Sequence, residues 1–455
     1  MHPGVFAAKE PERPAVIMGA SGTVVTYAEL EARSNQVAWL ARRCGLGPGD
    51  GLAAIMENRP ELFDLAWGAQ RSGLQFTAVN WHLTADEAGY VLTDSGARMV
   101  VVSHQLAGLA ARLGPVLAPG VRRLMIGDTI PGWEAYEDAA GVLPTAPVPD
   151  ECEGDIMLYS SGTTGRPKGI KRPVSGNPLG QHPDIPGHWL RELLGMAEGD
   201  VYLSPAPLYH AAPLAWTMSC HRTGATVVVM ERFEAERALR LIEAHRVTHS
   251  QWVPTMFVRL LKLPPQVRAA YDLSSLRWAV HAAAPCPVPV KRAMIAWWGP
   301  ILFEFYSMTE GFGAASIFSG EWLRRPGSVG RPLMGAPHIL GTGGAELPRR
   351  TAPRRRTAPR RRTGVRNWRT GWPPTAARTW PGSSARAPSS SPPGSCGPRS
   401  ARSAGGRCAS DSAPRPARIT RAGDPWVAPG PSPPHTGALS ARRPRCPGSA
   451  GKGRR

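Results

Sequence analysis

The hydrophobic pattern of the chain alternates between two periods. Behind Thr26 and Glu29, which form a capping box, apolar Leu30, Val37, Leu40, Ala41 and Cys44 recur at helical spacing, and Gly45 supplies the stop. The turn Gly47-Pro48-Gly49-Asp50 then leads into a short apolar run over 52–56. A second helix fits 61–71, and Thr84 with Glu87 caps a third that ends near Asp94-Ser95-Gly96, before a strand over 99–102. Further strands are expected at 155–159, 201–204, 226–230 and 278–281, and further helices at 235–245 and 289–298. Strands separated by helices of this length predict an α/β fold with a largely parallel sheet. No solenoid period is present, and the only repeat is TAPRRR, at 351–356 and 357–362. Residues 175–187 read as a long, mobile polar surface loop.

Charge divides the chain. The net charge is +20, yet residues 341–455 hold 23 Arg and one Lys against Glu346, Asp411 and Asp424. The preceding 340 residues are near neutral, with 30 basic and 31 acidic side chains. The basic segment has 19 prolines, only five Leu, Ile or Val, and no Phe, Tyr or Met, so it is expected to stay disordered. The seven cysteines are scattered and form no CxxC, which points to reduced thiols. MHPGVFAAKEPERP lacks an apolar leader core, and no run approaches a membrane span, so a cytoplasmic protein without a transmembrane segment is expected.

Candidate chemistry concentrates in four stretches. SSGTTGRPKG, Ser160 to Gly169, follows an apolar strand and contains no large apolar side chain. Its glycines allow close backbone approach to an anion, its hydroxyls donate to phosphate oxygens, and Lys168 adds a point charge. It does not satisfy the Walker A spacing, and a flexible linker is the plainer alternative. In EFYSMTEG, Tyr306 can stack on a base, Thr309 can hold a phosphate and Glu310 can bind Mg²⁺. SPAPLYHAAP places His210 in a Pro-rich loop, where a lone histidine is more often a structural hydrogen-bonder. In HAAAPCP, small residues end a strand and admit a flat ligand.

Taken in order, SSGTTGRPKG, PLYHAAP, HAAAP and YSMTEG resemble the signature set of the adenylate-forming enzymes, the family of acyl-CoA synthetases, aryl-CoA ligases and luciferases. The stretches TYAELEARSNQVAWLARRCGLGPGD, ENRPELFDLAWGAQRSG and VNWHLTADEAGYVLTDSGA resemble the opening of fatty-acyl-CoA ligases, and the likeness runs over about 10–340. It implies the large N-terminal domain of that fold, built of layered α/β sheets, over 1–340. It also implies activation of a fatty or similarly apolar acid by ATP and Mg²⁺, then transfer to coenzyme A. By the same resemblance Ser160, Ser161, Gly162, Thr163, Thr164, Gly165 and Lys168 would grip the β,γ-phosphates, and Tyr306 would pack on adenine beside Ala283, Ala284 and Pro285. Thr309 would touch the α-phosphate region, Glu310 would hold Mg²⁺, and His210 would sit where carboxylate, adenylate and pantetheine meet. His281 departs from the small polar residue of many relatives and is expected to line the acyl pocket.

The resemblance fades after RPLMGAPHIL and GAELP. The family continues with a ribose-binding Asp in a TGD segment, a hinge and a small domain carrying a Lys in a GK segment. Here Trp372 stands where the Asp is required, and Lys452 in AGKGRR has no globular sequence before it. The expectation is that the small domain is missing, that 341–455 is translated out of frame, and that activity is impaired. The alternative is a non-catalytic nucleotide-binding relic whose Arg-rich arm binds nucleic acid non-specifically; no specific nucleic-acid partner is expected.

Overall fold

The computed structural model describes residues 1–336, apart from 161–165, 182, 183 and 312, and beyond them His338 and Glu346. The expected out-of-frame segment, 341–455, thus lies outside the described residues except for Glu346.

Both capping boxes form. The Thr26 and Thr84 hydroxyls accept from the backbone N–H of Glu29 and Glu87, whose carboxylates accept the return bonds, and helices Tyr27–Arg43 and Ala85–Asp94 follow. Helix Glu61–Arg71 and strands Gly51–Ile55, Ala97–Ser103, Val201–Ser204, Thr226–Val229 and Trp278–His281 lie where the pattern puts them, to within two residues.

Among the described residues the strands build two large sheets and a separate two-stranded one. The larger has nine strands, with six running parallel from Pro14–Met18 through Thr226–Val229, Val201–Ser204, His249–Trp252 and Trp278–His281 to Leu302–Ser307. Antiparallel Val24–Thr26 closes one edge, and Ala314–Phe318 with Arg331–Met334 closes the other. The second sheet has six parallel strands centred on Gly51–Ile55 and Ala97–Ser103.

Both sheets are buried on both faces, as parallel sheets require. Val227 and Val229 face one core while Val228 faces another. Leu52 and Ala54 join that first core too, whereas Ala53 and Ile55 face a third. The first core is therefore shared by the two sheets and by helices Tyr27–Arg43, Glu61–Arg71 and Ala211–His221.

Two expectations change. The apolar run at 155–159 is two strands in different sheets: Asp155–Ile156 pairs with Gln75–Val79, while Leu158–Ser160 pairs antiparallel with Lys168–Ile170. An unbroken apolar run carries no mark of a change of partner. The polar stretch 175–187 also gives way to helix before its end, because the Asp184 carboxylate accepts from Gly187 N–H and caps Ile185–His188. Cys44, Cys152, Cys220 and Cys286 are free thiols.

Candidate active site

Strands Val201–Ser204, His249–Trp252, Trp278–His281 and Leu302–Ser307 lie side by side and parallel. The loops carrying His210, Ala283–Ala284–Pro285 and Thr309–Glu310 therefore leave one edge of one sheet. The carboxyl edge of a parallel sheet is where open α/β folds place ligands.

The His210 loop is fixed by a residue that sequence reasoning did not single out. Asn58, buried, donates to the carbonyls of Ala206 at 3.1 Å and Met230 at 2.8 Å, and accepts from Leu208 N–H at 2.8 Å. A buried Asn leaves no periodic signal, so only the fold exposes its role. His210 precedes helix Ala211–His221, with its exposed ring tilted 4.5 Å from that of Tyr209. Tyr209 in turn meets His82, which stacks on Trp81 at 3.6 Å. Partial desolvation lowers the His210 pKa from 6.5, so at neutral pH the imidazole is uncharged and offers one donor and one acceptor.

Ala283, Ala284 and Pro285 are exposed, and Ala283 holds φ +73°, a left-handed conformation that non-glycine residues seldom adopt. On the neighbouring strand Leu302–Ser307, Tyr306 is the next-to-last residue and is 58% exposed. Thr309, half-buried, and Glu310, exposed, sit in a turn closed by Gly311 N–H to Met308 O at 3.0 Å. Among the described residues no three His, Cys, Asp or Glu cluster as a metal site. A lone exposed carboxylate nevertheless fits Mg²⁺, which takes one or two carboxylates and completes its shell with phosphate oxygens and water.

The phosphate-loop candidate forms a hairpin. Ser160 and Lys168 are register partners across it, and Lys168 is exposed. Ser161, Gly162, Thr163, Thr164 and Gly165 lie outside the described residues. The Tyr159 hydroxyl donates to Asp94 Oδ2 at 2.7 Å, and the Arg166 guanidinium lies 5.1 Å over the Tyr90 ring. Both contacts dock the hairpin on helix Ala85–Asp94.

His281, expected to line the acyl pocket, has no exposed surface. Its ring packs on Phe257 and lies 3.6 Å from Glu304 Oε2.

Comparison with known proteins agrees with this architecture. The AMP-binding enzyme family matches residues 5–352. The chain is 29% identical over 307 residues to a fatty acid–[acyl-carrier-protein] ligase, ScoC, of Streptomyces coeruleorubidus, covering 67% of this chain and 57% of that protein. It is 32% identical over 318 residues to 4-coumarate–CoA ligase 1 of Oryza sativa subsp. japonica, covering 66% and 54%. The chain thus spans little more than half the length of these relatives. The N-terminal domain of FACL13 from Mycobacterium tuberculosis superposes with a TM-score of 0.65 at 24% identity, over 76% of this chain and 85% of that one, a likeness of fold. Among the described residues no helix is long and apolar enough to cross a membrane. By its sheets, its edge loops and its match over residues 5–352, the chain belongs to the AMP-binding enzyme family.

Proposed function

We propose that the chain is an ATP-dependent acid–thiol ligase that activates an apolar carboxylic acid as its acyl-adenylate and passes the acyl group to coenzyme A. The observation that carries this reading is the convergence of three motif loops on one carboxyl edge of the nine-stranded sheet. The names of the relatives, a fatty acid–[acyl-carrier-protein] ligase and a 4-coumarate–CoA ligase, agree on acid–thiol ligation and differ on both the acid and the thiol acceptor. Phe305, stacked on Trp216 at 5.5 Å and 5.6 Å from Trp189, sits next to Tyr306 and supports an apolar acid.

In the first step a carboxylate oxygen of the acid attacks the α-phosphorus of ATP, and the bond to the β-phosphate bridging oxygen breaks, releasing pyrophosphate. Lys168 and the hydroxyls of the hairpin loop stabilise charge on the β,γ-phosphates, and Tyr306 orients the base beside Ala283–Ala284–Pro285. Thr309 hydrogen-bonds the α-phosphate, and neutral His210 positions the acid carboxylate. Glu310 would hold Mg²⁺, which when bound offsets phosphate charge. In the second step the thiol of coenzyme A attacks the acyl carbon, AMP leaves and the thiol proton is released. Catalysis is thus positioning plus electrostatic stabilisation.

The test is acid-dependent exchange of labelled pyrophosphate into ATP, run over a panel of fatty and aryl acids. Lys168→Ala and Glu310→Ala should each reduce exchange by one or more orders of magnitude. Exchange unchanged in both variants would overturn the phosphate-site assignment. ATP binding without exchange for any acid would favour a non-catalytic nucleotide-binding protein.

A further inference from the structure

The loop over 282–287 carries Ala283–Ala284–Pro285 and has no regular hydrogen-bonded structure of its own. Its two ends nonetheless lie against a single carboxylate. His281, the last residue of its strand, pairs across the ladder with Glu304, and its Nε2 lies 3.6 Å from Glu304 Oε2. Lys291, in the first turn of helix Val288–Trp298 after the loop, donates from Nζ to the same Glu304 oxygen. Glu304 lies on the strand whose end presents Tyr306, two residues further on and on the same side. One buried carboxylate thus bonds the helix end of the loop, touches its strand end and sits on the strand beneath the stacking ring.

The surroundings make the arrangement costly to lose. Lys291 and His281 have no exposed surface, and Glu304 is 8% exposed. The Lys291 ammonium also lies 4.9 Å over the Trp322 ring, a cation–π contact inside the core. Among the described residues neither His281 nitrogen has a hydrogen-bond partner, and Phe257, edge-on at 5.5 Å, borders its ring. Burial holds the His281 pKa far below its ordinary value, and the Lys291 charge acts the same way, so the imidazole is neutral. Cys286, within the loop, has its thiol pushed up to about 11 by burial and adds no charge. A chain that buries an ammonium gains nothing from it in stability over an apolar core of similar volume, so geometry is the plainer reason for its presence.

We propose that Lys291, Glu304 and His281 are positioning residues that set the distance between the Ala283–Ala284–Pro285 backbone and the Tyr306 ring, and thereby the width of the slot for a nucleotide base. This rests on the nucleotide reading of the site given above. No bond is made or broken by the three groups; their effect is on affinity for the base, not on contacts to the phosphates.

The test compares the full-length chain with Lys291→Met/Glu304→Gln. This double variant removes both charges together, so no unpaired charge is left buried and the fold should be retained, as thermal melting would verify. Binding of AMP and of inorganic tripolyphosphate is measured separately by calorimetry. The expected result is AMP affinity weakened about tenfold or more with tripolyphosphate affinity unchanged, a base-selective loss that general destabilisation would not produce. Equal AMP affinity in a folded double variant and the wild type would overturn the positioning role. Equal weakening of both ligands would also overturn it, since that outcome places the effect outside the base slot. Should the double variant fail to fold, His281→Asn, which keeps the ion pair, is read by the same two ligands against the same criteria. Wild-type protein that binds neither ligand would instead refute the nucleotide reading itself.

Discussion

Among single residues, Asp64 stands apart because it is a buried carboxyl with no ion-pair partner among the described residues. It lies in helix Glu61–Arg71, 2% exposed, and its Oδ1 has no hydrogen-bond partner. Burial raises its pKa to about 8, against the opposing influence of Arg33. The folded state therefore holds a proton that the unfolded chain, titrating near 3.8, gives up. Wherever the folded state binds more protons, stability falls as pH rises, here from about pH 4 to about pH 8. Asp64→Asn should abolish this dependence. Melting temperatures of the variant and the wild type should diverge steadily between pH 5 and 8, with the variant higher by several degrees at pH 8. Parallel curves across that range would mean that Asp64 is ionised in the fold. Sequence showed Asp64 only as an acidic residue in the first turn of a helix, an ordinary and favourable place; its burial comes from the packing of neighbouring elements on that helix.

At the scale of elements, the decisive feature is the change of sheet within 155–160. Gly154 starts it. Its N–H donates to Gln70 O at 2.7 Å, and a Cβ there would meet the Leu74 carbonyl oxygen at 2.5 Å and that of Ala69 at 2.7 Å. These are backbone atoms and cannot swing aside. Gly154→Ala should destabilise the fold by about 1–3 kcal/mol, as overpacking does. Chemical denaturation measures this as a lower midpoint at unchanged slope. An unchanged midpoint would mean the two segments separate freely. The capping boxes at Thr26 and Thr84 were legible because each is settled within four residues of chain. The break at Met157 was not, because it depends on the first half pairing with Gln75–Val79, far back in the chain, while the second half turns into a hairpin with Lys168–Ile170. Asn58 and Lys291 were hidden for the same reason. Their side chains act on loops 148 to 172 residues away for Asn58, and on the next strand for Lys291.

For the whole molecule, the sharp contrast lies between 1–340 and the Arg-rich remainder. The family match ends at 352, within the stretch where composition changes. Deleting 347–455 should leave the melting temperature and ATP affinity of the remaining chain unchanged and improve its solubility at low salt. Loss of ATP binding on deletion would assign the basic segment a part in the fold. Translating the other two frames of the gene downstream of codon 340 tests the out-of-frame reading directly: a TGD segment, a hinge and a GK lysine in one of them would support it.

The sequence by itself determined the α/β class, the helix starts, most strands and the identity of the motif residues, because capping, periodicity and loop chemistry are local properties of the chain. Only the tertiary structure decided that the three motif loops share one sheet edge and that 155–160 serves two sheets. It alone buried Asp64, and it alone tied Lys291, His281 and Glu304 into one group. These depend on contacts between residues far apart along the chain, and packing two sheets around a common core is what brings such residues together.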